Sequence, residues 1–250
     1  MKNNKRFLYG NKARMAFLDF DLLSLKNNVV IKKIFRSQEA VAVILSGKAK
    51  LSIDGHDYLL KRRDVFKDIA SAVYIPLNTR FSIHSLSKTE IAICLCSASI
   101  KTKSFYKSPE QIKSKTVGKA DFERSVKNIV SDKDGSHHLI VGETINPPGN
   151  WSSFPPHKHD MNVQNKEVKM EEIYFYKINP PNGFGFQRLY SKNKKHDKSI
   201  VIKNNMLVHI PYGYHPVCAM PGYSLYYLWF LAGKRKMLMP NTDPQYKWLE

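Results

Sequence analysis

The chain has 250 residues, 42% of them hydrophobic, with a formal charge of +19 at neutral pH. That length and apolar content provide for one large domain or two small ones with substantial cores, so a soluble globular protein is expected. The lysines are spread among asparagines, and the runs KNNKR, KRR and KNKK are short. A charge of this size would ordinarily point to nucleic acid, but the scatter of the lysines and the lack of zinc-finger spacing or an RNA-binding signature argue against it as a partner. It reads as a solvated surface that steers anionic substrates.

The N-terminal stretch MKNNKRFLYGNKARM lacks the apolar run of a signal peptide. From about Asn28 to Ser99 the chain reads as short β runs separated by turns: NVVIKKIF, EAVAVILSG, KAKLSIDG, HDYLL, AVYIPL, RFSIHSL and EIAICLCSA. Asp54-Gly55 between two alternating runs is the clearest local signal, a type I′ hairpin. Cys94-Leu-Cys96 lacks the spacer of a redox pair, and alternation puts both thiols on one strand face as small buried hydrophobes. Three cysteines form no closed disulfide set, which fits a reducing cytoplasm.

Residues 101–136 have low apolar density and many charges, with a short helix expected after Ser108-Pro109. The domain plan is an antiparallel sandwich or barrel over 1–110, a linker over 111–136 and a second β domain of similar plan over 137–250. In the second half the β runs are HHLIVGETI, EEIYFYKI, GFQRLY, KSIVIKN, MLVHIP and SLYYLWFLAG. The longest apolar stretch, Tyr223 to Gly233, is shorter than the roughly 20 residues a membrane helix needs, so no membrane partner is expected.

The chemistry concentrates in GNWSSFPPHKHD and in a few residues downstream. His157 and His159 alternate, so on a strand they share a face. Glu171-Glu172 opens a later strand, and His215 comes just after the turn IPYGY. This order resembles the two motifs of the cupin barrels, which implies an all-β fold of two tandem cupin (double-stranded β-helix, jelly-roll) barrels. It departs from the usual spacing in two places. Twelve residues separate His159 from Glu172, implying an inserted polar loop, and Gly213 to His215 is one residue short.

GNWSSFPPHKHD, EEIYFYKINPPNGFGFQRLY, GYHPVCAMPGYSLYYLW and DPQYKW further resemble the 5-deoxy-glucuronate isomerases of bacterial myo-inositol catabolism. These bicupins are related to 4-deoxy-threo-hexosulose-uronate isomerase. The resemblance implies a cytoplasmic aldose–ketose isomerase acting on a small sugar acid, 5-deoxy-D-glucuronate. It also implies a divalent metal held by His157, His159, Glu172 and His215. Glu172 is preferred to Glu171 because it directly precedes the Ile-Tyr pair and because the two must face opposite sides. Zinc is the first expectation, and manganese, iron and nickel accept the same ligands.

Isomerisation also needs a proton-transferring group and a cation for the substrate carboxylate. Asp160, Glu167, Tyr174, Tyr176 and Tyr214 are candidates for the first, Asp160 having a steadying role as its alternative. Arg188 and Arg124 are candidates for the second, and Gln187 and Arg188 cannot both face the lumen. Lys177 stands where many relatives carry arginine. His56 and His84 lack companions, so the first barrel is expected to be metal-free and to serve packing, contact in a homo-oligomer, or pocket shaping. The alternative activities are a non-catalytic sugar-acid-binding bicupin, an isomerase of 4-deoxy-hexosulose uronate, and a dioxygenase.

Overall fold

The structure, a computed structural model, describes residues 15–250. The chain divides into two compact β units. Unit one comprises residues 17–113 and 128–141; unit two comprises 114–127 and 142–250, with residues 15 and 16. The stretch 111–136, expected as a linker, is therefore shared out between the units rather than standing apart. Its regular elements are β strands and single 3-10 turns. The turn that leads into it, Pro109–Gln111, is the short helix expected after Ser108-Pro109, and the Gln111 side chain accepts the Ser108 N–H at 3.0 Å.

Unit one contains β1 (Leu18–Leu25), β2 (Val30–Ile34), β3 (Gln38–Ile53), β4 (His56–Arg62), β5 (Ala72–Ile75), β6 (Arg80–Ser85), β7 (Thr89–Ser97) and β8 (Phe105–Lys107). The two expected runs EAVAVILSG and KAKLSIDG are one continuous strand, β3. Its first half pairs with β5 and β7 and its second half with β4 and β6. The change of partners occurs at a bulge between Ile44 and Ser46, next to Gly47 at φ +91°. A Cβ at Gly47 would stand 2.3 Å from the Lys88 carbonyl oxygen, so the strand can bend here only with glycine.

The β3–β4 hairpin turns on Asp54 (φ +51°) and Gly55 (φ +78°), the two left-handed residues of a type I′ turn. Inward-facing Ala40, Ala42, Ile44, Leu51, Ile83 and Ile93 form the centre of the core. Cys94 and Cys96 are both buried and form no disulfide. His84 Nε2 lies 2.9 Å from Asn28 Oδ1, and His56 packs its ring near Tyr58. Among the described residues this unit has no metal-competent cluster of His, Cys, Asp or Glu.

The remaining strands are β9 (Ser114–Val117), β10 (Arg124–Val130), β11 (Ile140–Asn146), β12 (Trp151–Ser152), β13 (His157–Lys158), β14 (Glu171–Asn179), β15 (Phe184–Tyr190), β16 (Asp197–Lys203), β17 (Leu207–Ile210), β18 (Val217–Ala219), β19 (Ser224–Ala232) and β20 (Asn241–Thr242). They form a six-stranded sheet in the order β17-β14-β19-β11-β10-β9, a four-stranded sheet β12-β18-β15-β16 and the pair β13-β20. Strands β14 and β19 are buried along nearly their whole length, because both faces are covered. On β14, alternation sends Glu172, Tyr174 and Tyr176 to one side and Ile173 and Phe175 to the other.

The terminal DPQYKW is a 3-10 turn, Pro244–Leu249, capped by the Asp243 carboxylate, which accepts the Gln245 N–H. Asp243 also accepts the Tyr190 hydroxyl at 2.7 Å, and its N–H donates to the Pro156 carbonyl at 2.8 Å. The C-terminal segment is thereby fastened beside β13, the strand that begins with His157. No helix among the described residues is long and apolar enough to cross a membrane.

Candidate metal centre

Three segments bring three of the candidate ligands together. His159 lies just past β13, Glu172 is the second residue of β14, and His215 sits beyond the turn at Gly213, whose φ is +89°. The potential ligand atoms of His159, Glu172 and His215 all lie within 4.8 Å of one another, and all three residues are buried. Both His159 Nε2, at 3.1 Å, and His215 Nε2, at 3.2 Å, approach the same Glu172 Oε2. Metal bonds of about 2.1 Å place neighbouring donor atoms roughly 3.0–3.4 Å apart, so these separations suit a first-row cation.

The other ring nitrogens set the tautomers. His159 Nδ1 lies 2.9 Å from the Met170 carbonyl and His215 Nδ1 lies 3.0 Å from the Gly213 carbonyl, so each Nδ1 is the donor. A neutral imidazole so held turns its Nε2 lone pair inward. Two lone pairs converging on a carboxylate oxygen repel unless a proton or cation intervenes. His215 Nε2 is in fact a buried nitrogen without a hydrogen-bond partner. These donors fit a divalent cation. His157 stands beside the triad with its ring 5.0 Å from that of His215, edge to face, and Nδ1 3.3 Å from the Pro155 carbonyl. It is outside the group of three and half-buried.

The electrostatics reflect this packing. Burial raises the Glu172 pKa, but the His159 and His215 imidazoles lying against its carboxylate outweigh burial and bring the carboxyl to about 2. Burial opposes protonation of His159, yet the Glu172 carboxylate raises its pKa. Burial and then the neighbouring imidazoles push His157 down to about 3.

Beyond the triad is a wall of hydroxyls. Tyr174 lies 5.9 Å from the His215 ring and stacks on Tyr227 at 4.5 Å. Its hydroxyl is 2.7 Å from Ser153 Oγ, while the Tyr227 hydroxyl bonds Ser152 Oγ. Burial, then the Glu172 charge, raises the Tyr174 pKa well above the usual phenol range, so it remains a hydrogen-bond donor. Tyr176 donates to Gln187 Oε1 at 2.9 Å.

The structure decides between Gln187 and Arg188. Gln187 faces inward, fully buried, and its Nε2 donates to the His215 carbonyl at 3.4 Å. Arg188, expected to act on substrate, is not brought to the triad: alternation turns it to the other face. There it pairs with Asp197 and lies over the Tyr190 ring. Arg124 is the cation near the hydroxyl wall, within electrostatic reach of Tyr227 and Tyr174. Its Nη1 donates to the Phe122 and Phe154 carbonyls, both at 3.0 Å. Nε and Nη2 have no partner among the described residues. Asp160 is engaged at both oxygens, with Lys158 Nζ at 2.5 Å and the Gly213 N–H at 2.8 Å. Tyr214 stacks on Tyr190. Tyr227, Ser152 and Ser153 are members of the wall that the sequence marks only faintly. The alternation in SLYYLW and the serine pair before the histidines are their only signals.

Comparison with known proteins places the chain in a family. The KduI/IolB family model matches residues 3–249. The 5-deoxy-glucuronate isomerase of Geobacillus kaustophilus is 35% identical over 236 residues, 93% of this chain and 86% of that protein. The enzyme of that name from Bacillus subtilis strain 168 is 31% identical over 247 residues, 96% of this chain and 90% of its own length. An IolB-like protein of Salmonella typhimurium superposes with a TM-score of 0.94 at 28% identity, covering 100% of this chain and 96% of that one. Oxalate decarboxylase from Lactobacillus farciminis superposes with a TM-score of 0.65 at 9% identity, covering 90% and 79%, a likeness of fold alone. The chain is an isomerase and belongs to the KduI/IolB family.

Proposed function

We propose that the protein is a metal-dependent aldose–ketose isomerase that interconverts 5-deoxy-D-glucuronate and 5-dehydro-2-deoxy-D-gluconate in the cytoplasm, within myo-inositol catabolism. The observation that carries this reading is the pair of imidazoles His159 and His215, each with Nδ1 on a backbone carbonyl and Nε2 aimed at one Glu172 oxygen. His157 completes the set as a fourth ligand from the adjoining strand. A bound divalent cation, zinc first, with manganese, iron or nickel as alternatives, supplies Lewis-acid polarisation of the aldehyde and its neighbouring hydroxyl.

The protein groups account for the rest. The reaction moves one hydrogen from the carbinol carbon to the aldehyde carbon and a proton between the two oxygens, with no net oxidation. Tyr174, held protonated beside Glu172, donates a hydrogen bond to the oxygen on which charge develops. Ser153 holds that hydroxyl in place. Arg124, with Nε and Nη2 uncommitted, takes the substrate carboxylate in a paired hydrogen bond. Unit one, in which the described residues hold no metal-competent cluster, acts through packing or contact between copies.

The test is an isomerisation assay on 5-deoxy-glucuronate and on 4-deoxy-hexosulose uronate, with metal-stripped and reloaded protein. Turnover of the first sugar that disappears on stripping and returns with metal is expected. Equal activity without metal would refute the reading.

A further inference from the structure

The twelve residues between His159 and Glu172 hold an ionic cluster that the reaction itself does not require. Glu167, buried within this insert, accepts the N–H groups of Asp160 at 2.7 Å and Met161 at 2.8 Å on Oε1. The Lys158 ammonium, also buried, donates to Glu167 Oε1 at 2.7 Å and Oε2 at 2.9 Å, and Asn241 Nδ2 donates to Oε2 at 3.2 Å. Lys158 reaches Asp160 Oδ1 at 2.5 Å, and Asp160 Oδ2 accepts the Gly213 N–H at 2.8 Å.

Both chains of contacts end on the ligand imidazoles. The Gly213 carbonyl takes the Nδ1 proton of His215. At the far end of the insert, Met170 accepts the Nδ1 proton of His159 and returns its own N–H to the His159 carbonyl at 2.7 Å. A buried cluster of one cation and two carboxylates contributes little net stability, because desolvation offsets the attraction. What it does secure is geometry: it ties the segment 157–160, the insert and the Gly213 turn to one another.

We propose that Lys158, Asp160 and Glu167 form a positioning triad that presets His159 and His215 for the metal, with Asp160 acting through Gly213 on His215 rather than as the proton-transferring base. This rests on the metal reading above. Asp160 is unsuited to the base's task because each of its oxygens is already held, one by an ammonium and one by a backbone N–H.

The experiment is titration of metal-stripped protein with Co²⁺, monitored by its visible absorption, for wild type, Asp160→Asn, Glu167→Gln, Lys158→Met and Lys158→Arg. Displacing the carbonyl that orients a ligating histidine lowers metal affinity by up to about 10–100-fold. That loss is expected in Asp160→Asn and Glu167→Gln, with a shifted Co²⁺ band and with turnover regained at saturating metal. Lys158→Arg is expected to recover affinity relative to Lys158→Met. Wild-type affinity and spectrum in the folded Asp160→Asn and Glu167→Gln proteins would overturn the proposal, whatever their melting temperatures. So would an Asp160→Asn protein that binds Co²⁺ normally yet does not turn over, which would make Asp160 the base. A wild-type protein that takes up no Co²⁺ would instead remove the metal reading underneath.

Discussion

Glu171 and Glu172 adjoin in sequence and do different work on opposite faces of β14. Glu172 receives His159 and His215, whereas Glu171 accepts the Ala16 N–H at 2.8 Å. Glu172→Gln should therefore remove bound metal and lower turnover by about a thousandfold or more, as loss of a Lewis acid costs several kcal/mol. Glu171→Gln should retain metal, with a stability change within about 1 kcal/mol. Elemental analysis and initial rates on the two variants check this, and His157→Ala should behave as Glu172→Gln does.

Metal affinity should rise with pH. Glu172 raises the His159 pKa, so over the range from the ordinary value of 6.5 up to that raised value a proton must leave His159 before a cation binds. One displaced proton corresponds to about tenfold in affinity per pH unit. In Glu172→Gln the cause of the shift is gone, and the remaining affinity should depend less steeply on pH. Zn²⁺ titrations at several pH values measure both slopes.

Acid should destabilise the metal-free protein in two overlapping windows. The depressed His157 pKa means the native state stays neutral while the unfolded state binds a proton, so stability falls as pH drops from 6.5 towards about 3. The depressed Glu172 pKa adds a loss between its ordinary 4.5 and about 2. His159, whose pKa is raised, works in the opposite sense, stabilising below 6.5 and losing that contribution as pH rises. Urea unfolding of His157→Gln between pH 7 and 4 should show a shallower decline than wild type.

The two arginines should separate cleanly. Arg124→Lys keeps the charge but loses the planar fork, so KM should rise by about tenfold, with kcat changed less. Arg188→Ala, which breaks an exposed pair with Asp197, should leave both constants near wild type. Steady-state kinetics on the uronate decide the matter.

Gly118 makes room for Arg124. It adopts φ +87°, and a Cβ there would stand 2.2 Å from the Phe122 carbonyl oxygen and 2.7 Å from Arg124 Nη1. Gly118→Ala should cost about 1–3 kcal/mol from backbone strain, and should raise KM by displacing the guanidinium. Thermal melts and kinetics on the same preparation read the two effects.

Much of this architecture comes from local chemistry. Asp54-Gly55 specifies its hairpin because two left-handed residues match strand twist, and alternation alone separates Glu171 from Glu172. The continuity of strand β3 is not legible in the sequence because Ser46-Gly47 looks like a turn. Only its partners on both sides make it a bend. The polar insert likewise resembles a surface loop until Glu167 is seen buried against Lys158.

By itself the sequence determined the all-β class, the family and the order of the candidate ligand residues, since these depend on strand period, turn chemistry and motif. Tertiary structure decided that Gln187 rather than Arg188 faces inward and that Arg124 stands by the hydroxyl wall. It also decided that Asp160 is bound to the Gly213 turn. A strand's period says that neighbours diverge, but which side becomes interior depends on distant strands packing against it, and those contacts form only in the folded chain.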